Sequence, residues 1–189
     1  MATKYTQKFS SVSQLAGFAP NRGNAAGFGW VDGVLCYNDG SNVVPVGKTK
    51  PVELTAGATL TPDAHANRTI VVNNAAGLAI VLPSATATGN TYRVVIGTAL
   101  SSGDVTVSAP SGSILKGMAL VNDIGDSGAG TSDAFAAGAS DEVFTFDQSA
   151  GGGKVGDWVE VEDIASGVYL VNAVLTGLPD TATPFSSAA

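Results

Sequence analysis

The sequence predicts an all-β protein: an antiparallel β-sandwich or jelly-roll-like domain over residues 51–189, preceded by an irregular arm over residues 1–50. Three observations predict it. Apolar residues alternate with polar ones in short runs, the marks of half-buried strands. Gly, Ser, Asn and Asp fill the gaps between runs and supply turn chemistry. No stretch carries a long helical period.

The arm comes first. Met1 to Gly17 is polar and weakly patterned, and Phe18 to Val46 strings the aromatics Phe18, Phe28, Trp30 and Tyr37 between Gly, Asn and Pro. Trp30 to Tyr37, followed by Asn38-Asp39-Gly40, reads as a small hairpin with an Asp-Gly turn. Such a segment is too irregular to bury itself, and aromatics give much contact area for little conformational entropy. It reads as an arm that docks on a partner subunit. A hairpin folded back on its own domain is the plainer alternative. Gly47-Lys48-Thr49-Lys50-Pro51 reads as the hinge.

Strands follow at 70–73, 78–82, 92–97, 105–109, 114–121, 142–147, 158–163 and 168–175, with early spacing near the ~8–12 residues of a sandwich or barrel. Asn73 to Gly77 makes the first tight turn, and Pro83 stops the second strand. Before the first strand, Thr61 caps one short helical turn with Pro62 at its first position. Residues 123–141 and 149–156 are rich in Gly, Ala and Ser and read as loops. No internal sequence repeat is visible.

Composition narrows the function. Charged residues make up 13% of the chain, about half the usual share, while 44% are hydrophobic. A surface so poor in charge suits a protein packed against others. The net charge of −7 argues against nucleic acid and against anionic membrane surfaces. The single cysteine, Cys36, permits no internal disulfide and no multi-cysteine zinc site, and it reads as a small buried hydrophobe. The N-terminus lacks the apolar stretch of a secretion signal, and no window is apolar enough to span a membrane.

Several motifs carry a hint of chemistry. Gly125-Asp126-Ser127-Gly128, with His65 and Asp104 upstream, has the residue order of a serine-protease triad. However, Ser127 sits in a loop of low apolar content and His65 precedes the first clear strand, so the stretch reads as a turn. Val46-Gly47-Lys48-Thr49 lacks the earlier Gly of a phosphate loop, that position being Asn42. Gly151-Gly152-Gly153-Lys154 has no Ser or Thr after the lysine. Glu160, Glu162 and Asp163 are the nearest thing to a carboxylate cluster. Alternation puts Glu160 and Glu162 on one face, with Val159 and Val161 turned inward, so the pair reads as the wet face of a strand, and calcium at a subunit junction is the sharper alternative. His65 is the only histidine and reads as a surface or turn residue. The residues therefore predict no enzyme, no cofactor and no metal.

One segment carries a resemblance. Gly77 to Gly97 follows G-L-x-I-x-L-P-x-A-T-x-x-G-x-x-Y-R-V-V-I-G. With Gly156-Asp157-Trp158-Val159-Glu160, Asp163 to Tyr169 and Thr183-Pro184-Phe185, it resembles capsid decoration (cement) and head-fibre proteins of tailed bacteriophages, over roughly residues 55–187. The resemblance implies a β-rich homotrimer made in the host cytoplasm and bound to the major capsid protein on the outer surface of the virion. Phe18, Phe28, Trp30 and Tyr37 would then carry the capsid contact, and Phe185 would seal a subunit seam. A head fibre or adhesin that binds host-surface glycans is the alternative, with Trp158 and Tyr169 as candidate contacts.

Overall fold

A computed structural model describes residues 50–123, 130–149, 151–177 and 183–188, together with the backbone of four strands before residue 50. Within these bounds the protein is all-β, with one helical turn. It divides into two units, Met1–Lys50 and Pro51–Ala189.

The first unit holds β1 (Lys8–Phe9), β2 (Gly27–Val31), β3 (Val34–Asn38) and β4 (Val43–Pro45), in that order across one sheet. β2 and β3 pair antiparallel with Val31 opposite Val34, so Asp32-Gly33 is all that stands between them, the spacing that favours a primed hairpin turn. The second Asp-Gly pair, Asp39-Gly40, stands between β3 and β4. The turn chemistry of the sequence thus marks both connections.

The second unit opens with β5 (Val52–Leu54) and β6 (Ala58–Thr59), then the helical turn α1 (Pro62–His65). Pro62 opens the turn as expected. Thr61 stands at its N-cap, but its side chain makes no capping bond. Its backbone N–H instead donates to His65 Nδ1 at 3.0 Å. The remaining strands are β7 (Arg68–Val72), β8 (Leu78–Val81), β9 (Thr91–Ile96), β10 (Val105–Ser108), β11 (Ile114–Asp123), β12 (Thr131–Ala136), β13 (Val143–Phe146), β14 (Trp158–Ala165), β15 (Val168–Gly177) and β16 (Phe185–Ser186). Every run read as a strand from alternation is one. The stretch 123–141 is not wholly a loop, because β12 pairs antiparallel with β11 along its length. β12 is a sheet edge with mostly exposed residues, so no apolar alternation announced it.

Two sheets result, ordered β16-β13-β10-β8-β6 and β12-β11-β15-β14-β9-β7-β5. Neither is purely antiparallel. From β5 to β10 the chain alternates between the sheets, so that β5, β7 and β9 lie parallel in one and β6, β8 and β10 lie parallel in the other. The segment is a coil of three rungs whose unequal loops hide the repeat from the sequence. β11 and β15 are also parallel, in register from Ile114 opposite Val168 to Asp123 opposite Gly177. Alternation reports which face a residue occupies, not which strand lies beside it.

The core draws on both sheets. Across the larger sheet, Ala119, Ala173, Val159, Val94 and Ile70 form one buried row, linked strand to strand by register. From the smaller sheet come Ile80, Val107, Phe144 and Phe185. Phe144 meets Phe146 and Phe185 edge-on, with centroids 5.2 and 5.4 Å apart, a favoured aromatic geometry. Gly117, inside β11, has φ +135, and a Cβ there would collide with the Val171 carbonyl oxygen. Only glycine lets β11 and β15 approach so closely at that point.

Candidate functional site

The residues expected to make contacts fall in two places. Phe28 and Trp30 belong to β2 and Tyr37 to β3, with Phe28 opposite Tyr37 and Trp30 opposite Leu35. Their side chains, and Phe18 altogether, lie outside the described residues. Phe185 is 3% exposed and packs on Phe144 inside its own unit. The structure therefore gives its ring a task within this chain.

The residues with a hint of chemistry are engaged locally. His65 Nδ1 serves Thr61, and Asp104 accepts the N–H of Gln148 through Oδ1 at 2.9 Å. Ser127 and the segment 46–49 lie outside the described residues. In the glycine-rich loop, four backbone N–H groups are already occupied. Gly151 donates to Asp147, Gly152 to Thr176, Lys154 to the Asp157 carboxylate and Gly156 to Ile96. These donors face the protein, unlike a phosphate cradle, whose N–H groups face the ligand. Two small clefts adjoin this loop, of about 80 and 140 Å³, sharing Asp147 and Gly151. Small-molecule sites are commonly ~300–1,000 Å³. Among the described residues no group of three or more His, Cys, Asp or Glu is placed to hold a metal ion. No described helix is long and apolar enough to cross a membrane.

The supposed carboxylate cluster divides. Glu160 and Glu162 lie on the outer face of β14, as alternation requires, and Trp158 shares that face. The Arg93 guanidinium sits 4.3 Å from the centre of the Trp158 ring and 3.9 Å from Glu160, so one cation serves both neighbours. Asp163 turns the other way and is 3% exposed. It has the parity of Val159 and Val161, which is the signal that would have separated it from the two glutamates.

Asp163 holds a loop. Its carboxylate accepts the backbone N–H groups of Thr86, Ala87 and Thr88 at 2.8–3.1 Å and the Thr88 hydroxyl at 2.7 Å. Burial pushes its pKa up, but these donors outweigh burial and hold the carboxyl below its ordinary value. Backbone bonds join Gly89 N–H to the Asp163 carbonyl and Asp163 N–H to the Asn90 carbonyl. Nearby, the buried Tyr169 donates its hydroxyl to the Pro83 carbonyl at 2.7 Å. Burial pushes the phenols of Tyr169 and Tyr92 above their ordinary value, which keeps both neutral. The loop after Pro83 and the segment Asp163–Tyr169, two of the four stretches quoted for the resemblance, meet here as one joint.

The accessible side of the larger sheet differs from its core side. Register aligns Ala134, Leu120, Val174, Trp158, Val95 and Val71 in one row across six strands, none of them buried. In the next row Met118, 54% exposed, lies beside Asn172, Glu160 and Arg93. Sequence reasoning missed this surface because its members come from six separate runs, each contributing one residue. No family model matches the chain, and neither does any curated protein or solved structure.

Proposed function

We propose that this protein is a non-catalytic structural component of a tailed-phage virion that decorates and stabilises the outer surface of the capsid as a homotrimer. Residues 1–50 are the arm that contacts the major capsid protein, with Phe18, Phe28, Trp30 and Tyr37 as its anchors. Residues 51–189 form the body. We read that body as a β-sandwich, supported by a core drawn from both sheets. Its parallel ladders depart from the antiparallel scheme of a jelly roll.

The observation that carries the proposal is the joint at Asp163. Two of the quoted motifs meet at a structural bolt, with three backbone N–H groups and a hydroxyl directed at one carboxylate. A protein whose most elaborate polar arrangement holds itself together is suited to mechanical work. Binding only the assembled shell stabilises that shell by linkage. Three copies acting together turn weak arm contacts into a tight one. The first test is the native mass by sedimentation equilibrium, expected near three times 18.8 kDa. The second is Trp30→Ala, expected to lower occupancy on shells lacking this protein while the body melts as before. Unchanged occupancy rejects the arm assignment.

A second reading is supported by Trp158, which keeps its place on the outer face beside Arg93 and Glu160. A head-fibre module that binds glycans would use such an aromatic. Tyr169 no longer supports it, being buried. A broad glycan array without hits removes this reading.

A further inference from the structure

We infer that the outer face of the seven-stranded sheet is buried between copies of this chain. The inference rests on the reading of the protein as a self-associating shell component, and it names the surface by which the copies meet.

The geometry comes from register. A row of six apolar residues runs over six of the seven strands, from Ala134 on β12 through Leu120, Val174, Trp158 and Val95 to Val71 on β7, and Glu53 on the edge strand β5 ends it. Strands with one wet face normally show polar residues there. Here one row departs from that rule, and polar residues flank it on either side, Asn172, Glu160 and Arg93 in one neighbouring row and Ser132, Asn122 and Thr176 in the other. Of the large apolar side chains most exposed among the described residues, Met118 and Leu120 both stand on this face, at 54% and 38%. A contiguous apolar strip with a polar margin is the anatomy of an interface.

Charge selects the occupant. The chain carries 16 acidic against 9 basic residues. The margin of the row carries both signs instead, with Arg93 and Lys116 set among Glu53, Glu160 and Glu162 on this face. Two copies of an acidic chain repel wherever their acidic surfaces meet. They approach with least repulsion through a patch where both signs are present, and Arg93 of one copy can then answer a glutamate of another. A polyanion would need a basic surface, and a basic protein would need an acidic one. This face offers neither, so a second copy of the chain is the partner it fits.

The test is sedimentation equilibrium of the full chain, with melting curves to verify folding. It compares wild type with Leu120→Glu, with Met118→Glu/Leu120→Glu, and with Val155→Glu, a control at a residue that is 64% exposed in the glycine-rich loop. The expected result is a wild-type oligomer, association weakened by roughly tenfold or more in both face variants, and no change in the control. Face variants that assemble like wild type overturn the inference. So does a control that dissociates equally, since added charge alone would then be the cause. A wild type that stays monomeric also overturns it. In that case, binding of the monomer to shells lacking this protein decides separately whether the decoration reading survives.

Discussion

The two ends of β14 are each guarded by a buried aspartate, and the two behave oppositely. Asp157, just before the strand, is 4% exposed and accepts the backbone N–H groups of Lys154 and Thr176. Burial pushes its carboxyl above the ordinary value, and those bonds only partly oppose the rise. Asp163, near the other end, is as little exposed, yet its carboxyl is held below the ordinary value. The difference lies in depth as well as in donors. Asp163 faces three successive N–H groups and a hydroxyl, whereas Asp157 has two separate N–H groups and the Thr176 side chain. Asp157 is also enclosed by more protein, so desolvation outweighs its donors, while at Asp163 the donors prevail. Low exposure alone therefore does not say whether an acid in this protein is an anchor or a liability. The balance of desolvation against convergent donors decides it.

The sharpest way to break the comparison is truncation. Asp163→Ala leaves three loop N–H groups and a threonine hydroxyl without their acceptor, and it is expected to destabilise the body by roughly 3 kcal/mol or more. Asp157→Asn keeps an acceptor oxygen and is expected to cost about 1 kcal/mol or less. Urea unfolding of both variants checks the order, and equal losses would abolish the distinction.

The pH dependence sharpens it further. A lowered folded pKa means that the contribution of Asp163 is present above the unfolded value, near pH ~3.9, and is lost as pH falls through the folded value. A raised folded pKa means the reverse for Asp157. Its contribution is present below the unfolded value and is lost as pH rises through the folded one. Urea midpoints measured against pH should therefore lose their acid-side decline in Asp163→Asn, and lose a decline on the rising side of about pH 4 in Asp157→Asn. The smallest effect concerns the loop that Asp163 grips. Ala87 sits there at φ +62, in the left-handed region. Glycine removes a strain of ~1–2 kcal/mol but adds freedom to the unfolded chain, so Ala87→Gly is expected to raise stability by about 0.5 kcal/mol. A loss of stability would show that the conformation is not strained.

The strands of the body were legible because each buries one face, and Ile70, Val94 and Val159 announce that face by alternation. Their neighbours were not legible. Nothing in a single run tells β9 that β7 lies parallel on one side and β14 antiparallel on the other. β12 escaped because an edge strand with exposed Thr131 to Ala134 has no buried stripe to display. Alternation put Glu160 and Glu162 on one face, but Asp163 was grouped with them by charge and its own inward parity was not used. The apolar row was hidden for a deeper reason. It runs perpendicular to the chain, so each strand holds only one member, and only register brings Leu120, Val174 and Trp158 together.

The rung arrangement of residues 52–108 also fixes a timescale. Each strand of the coil finds its partner only after the chain has visited the other sheet, and β11 must wait for β15 before its parallel ladder can close. Such distant pairings place the body among slow folders, in the millisecond-to-second range typical of chains dominated by non-local contacts. During that interval the edges by which β11 and β15 later meet stand open, although each already has a neighbouring antiparallel partner, so newly made copies are most exposed to wrong partners before the body has closed.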